Sequence, residues 1–126
     1  MSRWNPVQIE SLEPRSLMAV GSGFAQLLVA DGLKRPTSMA LTRNAGSDIF
    51  IAEQGGTVRI VQGGSLARQP AVTLPVDATG GRGLLGIALD PNFSRTKYVY
   101  LSYTVDAPTP FQRISRMIAS GGQLYQ

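Results

Sequence analysis

The sequence predicts an all-β fold, specifically the first two blades of a β-propeller, each blade a four-stranded antiparallel meander, in a ring that these residues alone leave incomplete. Three observations carry this. The apolar runs are short and are punctuated by 14 glycines and 8 prolines, the mark of β-structure with many turns. Consecutive runs are joined by tight turns, which makes a meander. The meander then recurs about 50 residues later, the period of a four-stranded propeller blade.

The strands follow in order. Phe24 to Ala30 reads as a short apolar strand candidate after the Gly21-Ser22-Gly23 linker. Asp31-Gly32 is a turn, and Pro36 keeps the entry to the next strand extended. Thr37 to Leu41 and Asp48 to Glu53 form a hairpin around a loop holding Asn44 and Gly46. Gln54-Gly55-Gly56 is a tight turn into the alternating strand Thr57 to Val61. Gln62-Gly63-Gly64-Ser65 is another turn, and Ala71 to Leu74 is the fourth strand, ended by Pro75.

The second unit is Leu84 to Leu89, Tyr98 to Thr104, Gln112 to Ile118 and Gln123-Leu124-Tyr125. Met39-Ala40-Leu41 matches Ile87-Ala88-Leu89, and Ile49-Phe50-Ile51 matches Val99-Tyr100-Leu101. Val58 matches Ile114, the drift being absorbed in loops, chiefly Val105 to Phe111 with its two prolines. One four-stranded sheet has two faces and cannot bury both, so sheets stack radially and the innermost strands line a channel. The near-continuous apolar or small runs Thr37–Leu41 and Leu84–Leu89 suit that innermost place. Two such meanders packed as a β-sandwich are the alternative. A ring needs about four blades at least, so the expectation is the N-terminal portion of a longer protein, with blade faces and edges open to solvent.

Composition narrows the chemistry. Of 126 residues, 43% are hydrophobic and 16% charged, which excludes a disordered tail. The charge of +4 is spread along the chain without a basic cluster, so no nucleic-acid partner is expected. No run reaches the roughly 18 apolar residues of a membrane helix. The chain has no cysteine and no histidine. Disulfides, thiolate metal sites and a Ser-His-Asp triad are therefore excluded. A catalytic base is either a carboxylate or lies beyond Gln126.

Residues 1–23 read as an N-terminal motif and linker, separate from the propeller segment 24–126, and without the basic region and unbroken apolar core of a typical secretory signal. A disordered terminus is one reading. In the other, Leu12-Glu13-Pro14-Arg15-Ser16-Leu17 resembles the LEPR-x-L-L motif at the start of large exported bacterial proteins, with Met18 in place of the final leucine. That resemblance implies a periplasmic, extracellular or cell-surface location.

The stretch Ala78 to Phe93 is the most informative. Gly80-Gly81-Arg82-Gly83 is a flexible loop that enters the apolar strand Leu84–Leu89 and stops at Asp90-Pro91-Asn92. Such a loop either enters a core strand and nothing more, or places backbone groups beside a ligand. Several segments, in order and compatibly spaced, resemble the opening of the glucose/sorbosone dehydrogenase family. They are Gly32 to Ala40, Ile49 to Arg59, Arg82 to Phe93, Tyr98 to Thr104 and Gln112-Arg113-Ile114-Ser115-Arg116.

The resemblance implies a six-bladed propeller. Its active members hold pyrroloquinoline quinone (PQQ) over the channel mouth, use calcium to polarise it, and oxidise an aldose or sugar aldehyde with a histidine base. That histidine and the calcium ligands belong to later blades, so the resemblance implies that this chain is inactive alone. It puts Gly81, Arg82 and Gly83 at the cofactor. Soluble glucose dehydrogenases carry a cofactor-touching glutamine at the position of Gly81, so that contact is missing. Arg82 is placed to approach a cofactor carboxylate, or is a plain surface arginine. Glu53 matches a frequent family acid, and its structural alternative is a hydrogen bond to the hairpin Gly55-Gly56. A non-catalytic propeller module binding carbohydrate or protein is the other functional reading, because function lives in the site and not the fold. An orphan fragment without activity is a third.

Overall fold

The computed structural model describes residues 21–43 and 47–126. The Leu12–Met18 motif and the hairpin residues Asn44 and Gly46 lie outside them. Among the described residues, nine strands and one short helix follow in order: β1 (Pro36–Leu41), β2 (Ile49–Glu53), β3 (Thr57–Gln62), β4 (Ser65–Leu66), β5 (Val72–Thr73), β6 (Leu84–Leu89), α1 (Phe93–Thr96), β7 (Tyr98–Val105), β8 (Phe111–Ser120) and β9 (Gln123–Tyr125). They form two antiparallel meanders, β1-β2-β3 with β4 and β5 on its outer side, and β6-β7-β8-β9.

The repeat read in the sequence holds to the residue. Leu41 faces Ile49 in the first sheet, and Leu89 faces Val99 in the second. Ala52 faces Val58, and Ser102 faces Ile114. Even the irregularity repeats: the register slips between Pro36 and Ser38 in β1 and between Leu84 and Gly86 in β6, a bulge at the same place in both innermost strands.

The core lies between the sheets. Phe50, Ala52, Val58 and Ile60 from the first meet Leu84, Ile87, Val99, Leu101, Tyr103 and Met117 from the second. Period-two alternation puts these residues on the facing sides. The opposite side of the second sheet is uncovered among the described residues, and Leu85, Ile114, Ile118 and Tyr125 are exposed there.

Three expectations change. Phe24–Ala30 is not a strand, and Phe24 and Leu27 are about four-fifths exposed at 80% and 82%. An apolar run becomes a strand only beside a free sheet edge, and none of the described strands pairs with it. The first blade's fourth strand is split. β4 pairs with the end of β3 and β5 with its start, with Pro70, which has no amide to donate, between them. The Asp90-Pro91-Asn92 stop continues into α1. Asp90 Oδ2 accepts the Asn92 amide (3.0 Å) and the Thr96 hydroxyl (3.0 Å), which folds the turn into one helical loop. Phe93 of that loop packs edge-on to Phe50 of the first blade at 5.7 Å.

Candidate functional site

The loops at the start of the innermost strands gather at one end of the molecule. The β2–β3 turn, the segment 74–83 and the β7–β8 connection meet there. Val76 bridges to Val105, the Asp77 amide donates to the Thr104 carbonyl at 3.0 Å, and the Thr104 amide donates to the Gly83 carbonyl at 3.1 Å. Thr104 is fully buried, and its hydroxyl accepts from Gln112 Nε2 at 2.8 Å.

Within this frame the loop Ala78–Gly83 is held from two sides. On one, Asp77 closes an Asx turn: Oδ1 accepts the Thr79 amide at 2.9 Å and Oδ2 accepts from Arg82 Nη1 at 2.7 Å. Hydrogen bonding to Thr79, followed by the Arg82 guanidinium, holds the Asp77 carboxyl at about 2, well below the usual carboxylate range. On the other side, Gln54 Nε2 donates to the carbonyls of Arg82 (2.7 Å) and Gly80 (2.9 Å), with that of Ala78 at the limit of reach (3.5 Å). The Gln54 carbonyl accepts the Leu84 amide at 3.0 Å. Gly83 is required here. Its φ is +126°, and a Cβ would strike the Gln54 carbonyl.

The sequence-predicted residues are thus brought together on one short loop, but not equivalently. Gly81 is exposed with open space around it, Gly83 is buried against Gln54, and Arg82 is half-exposed and already paired with Asp77. Glu53 departs from expectation. Its backbone carbonyl accepts the Gly56 amide, but its buried side chain accepts the Lys34 amide at 2.6 Å and lies 3.9 Å from Arg59. It anchors the chain entering β1 and does not bond the Gly55-Gly56 hairpin with its carboxylate. Gln54 and Asp77 were missed as loop-holding residues. The Asp-x-Thr spacing of Asp77 and Thr79 is a readable Asx-turn signal, whereas nothing local to Gln54 announces a partner 26 residues away.

A cleft of about 490 Å³ opens at the opposite end, between Leu41–Arg43 and Leu89–Phe93. The carboxylate among its described lining residues, Asp90, is engaged by Asn92 and Thr96. The loop end is the better candidate, because there exposed backbone and a cation share a fixed frame.

Two like meanders stacked face to face, their bulged innermost strands side by side, define consecutive blades of a β-propeller, with a glycine loop held at one mouth. The chain belongs to the glucose/sorbosone dehydrogenase family, whose model matches residues 33–123. Among solved structures, an oxidoreductase (glucose dehydrogenase) of Thermus thermophilus is 31% identical with a TM-score of 0.69, covering 77% of this chain and 28% of that one. The PQQ-bound aldose sugar dehydrogenase of Streptomyces coelicolor is 30% identical with a TM-score of 0.61, covering 77% of this chain and 30% of that one. The Hedgehog-interacting protein of Mus musculus is 30% identical over 101 residues, 71% of this chain and 14% of that protein. The chain spans less than a third of the length of each of these proteins.

Proposed function

We propose that the chain supplies two blades of a quinoprotein that oxidises an aldose or sugar aldehyde, and that its share of the cofactor site is the loop at Gly81, Arg82 and Gly83. The observation that carries this is the held conformation of that loop at the strand-entry mouth of a family-matched propeller. The relation to a PQQ-bound sugar dehydrogenase supports the choice of cofactor.

The residues present fit one edge of PQQ, a polycarboxylate. Arg82 has five guanidinium N–H groups and gives one to Asp77, so others remain for a carboxylate. The exposed Gly81 amide is a second donor. When bound, PQQ would supply the two-electron acceptor for the sugar carbon. Arg82 would orient it and balance its charge, and Asp77 would hold Arg82 in place for that role. The calcium ligands implied by the family resemblance belong to later blades, and this reading keeps them there. With no histidine in the sequence, the base is likewise assigned to residues outside this chain.

A titration of PQQ into the full chain tests the loop assignment. Arg82→Ala is expected to weaken binding about tenfold, the worth of a charge-assisted hydrogen bond, and unchanged affinity would remove Arg82 from the site. Dye reduction with aldose, PQQ and calcium should show no turnover by residues 1–126 alone. Turnover would overturn the placement of the base elsewhere.

A second reading is favoured by Gly81, which offers no side chain to a cofactor, and by the match to a protein named for its interaction with Hedgehog. It is a propeller module that binds protein or carbohydrate without turnover, and absence of PQQ binding would select it. Export belongs to the same proposal. It rests on the Leu12–Met18 motif, and cell fractionation tests it. No helix among the described residues is long and apolar enough to cross a membrane.

A further inference from the structure

Gln54 stands in a tight turn of the first blade, yet three of its groups reach outward. Its amide donates to the Arg35 carbonyl at 2.9 Å, its carbonyl accepts from Leu84, and its side-chain amide meets the second blade's entry loop. A carboxamide nitrogen carries two hydrogens. The two short contacts, to Arg82 at 2.7 Å and Gly80 at 2.9 Å, use both.

This fixes two peptide planes. No described peptide bond is cis, and in a trans peptide the carbonyl of one residue and the N–H of the next point in opposite directions. With the Gly80 and Arg82 carbonyls turned onto Gln54, the amides of Gly81 and Gly83 are turned away from it. Neither amide donates to a backbone or side-chain acceptor among the described residues. The Gly81 amide therefore points away from Gln54, on an exposed residue whose Cα has open space beside it.

We propose that Gln54 is the positioning residue of this site: a first-blade side chain that orients the Gly81 backbone donor of the second-blade loop toward an oxyanionic ligand. The inference rests on the reading that the loop meets the cofactor. It adds that the loop's shape is imposed from the neighbouring blade, so ligand contact and the junction between blades are coupled through one residue.

The test uses the full chain with Gln54→Glu, which keeps size and shape but replaces the donating NH₂ with an acceptor, and with the uncharged Gln54→Met. Amide hydrogen exchange is followed in Ala78–Leu84 and, as a reference, at the buried Val58 and Leu101. PQQ affinity is measured in parallel. Both variants are expected to raise exchange in the loop at least about tenfold, corresponding to two lost hydrogen bonds. Val58 and Leu101 keep their protection, and PQQ binding weakens about tenfold. Unchanged loop exchange overturns the proposal. Loss of protection at Val58 and Leu101 in both variants also overturns it, since Gln54 would then be a general stabiliser. A loosened loop with unaltered PQQ affinity leaves Gln54 holding the loop but refutes its orienting of a ligand donor. If the wild-type chain binds no PQQ, the cofactor reading fails by itself, while the exchange result still decides whether Gln54 sets the loop.

Discussion

Val58 and Ile114 occupy equivalent places in the two sheets, opposite Ala52 and Ser102, yet Val58 is fully buried and Ile114 is 74% exposed. The second sheet covers the first, and no described residue covers the second. Ile114, Ile118, Leu85 and Tyr125 form an apolar side of the kind that drives association. The chain is expected to self-associate, and Ile114→Lys to shift it toward monomer at unchanged fold. Light scattering with circular dichroism decides, and a monomeric wild-type chain with a cooperative melt would refute it.

Asp77 gives a pH prediction. Its carboxyl is held at about 2 in the folded chain, below the unfolded value of about 3.9. A lowered folded pKa means that the anchoring is fully present above the unfolded value and is lost as pH falls through the folded one. Loop order, read by hydrogen exchange or limited proteolysis at Arg82, should be flat from about pH 5 to 8 and fall toward pH 2. Asp77→Asn should abolish that dependence.

Gly83 should tolerate no side chain. With φ at +126° and the Gln54 carbonyl in the way of a Cβ, Gly83→Ala combines strain with a clash. A loss of about 1–3 kcal/mol is expected from chemical denaturation. Gly81→Ala, on the open side of the same loop, should cost well under that.

Phe93 ties the second blade's helical loop to the first blade through Phe50. Phe93→Ala should destabilise the chain by about 2–3 kcal/mol, less than a fully buried phenylalanine because Phe93 is only partly buried. A midpoint unchanged in denaturant would show that the contact carries no weight.

How far the residues announced this structure depends on the range over which their signals act. Leu84–Leu89 and Tyr98–Thr104 were legible as strands because alternation, turns and burial all act within a few residues. Matching Met39–Leu41 with Ile87–Leu89 named corresponding strands, and the structure pairs them in the same register, Leu41 with Ile49 and Leu89 with Val99. Phe24–Ala30 misled because its apolar pattern is local, whereas pairing depends on an edge that the pattern does not describe. The division of the first blade's last strand follows from Pro70, a visible residue whose interruption comes before the stop that Pro75 marks. At the candidate loop, the glycines and Arg82 stand out in the sequence itself. Gln54 does not, because its role is to satisfy carbonyls that only the assembled blades bring to it.

One bond bears on synthesis. The amide of Leu124, in the last strand of the second blade, donates at 2.9 Å to the carbonyl of Ala71 in the first. Chains leave the ribosome N-terminus first. The outer edge of the first blade therefore waits more than fifty residues of elongation for this donor, and the Gln54 carbonyl waits thirty for Leu84. The early blade emerges with acceptors facing water and is completed backwards, by residues made after it.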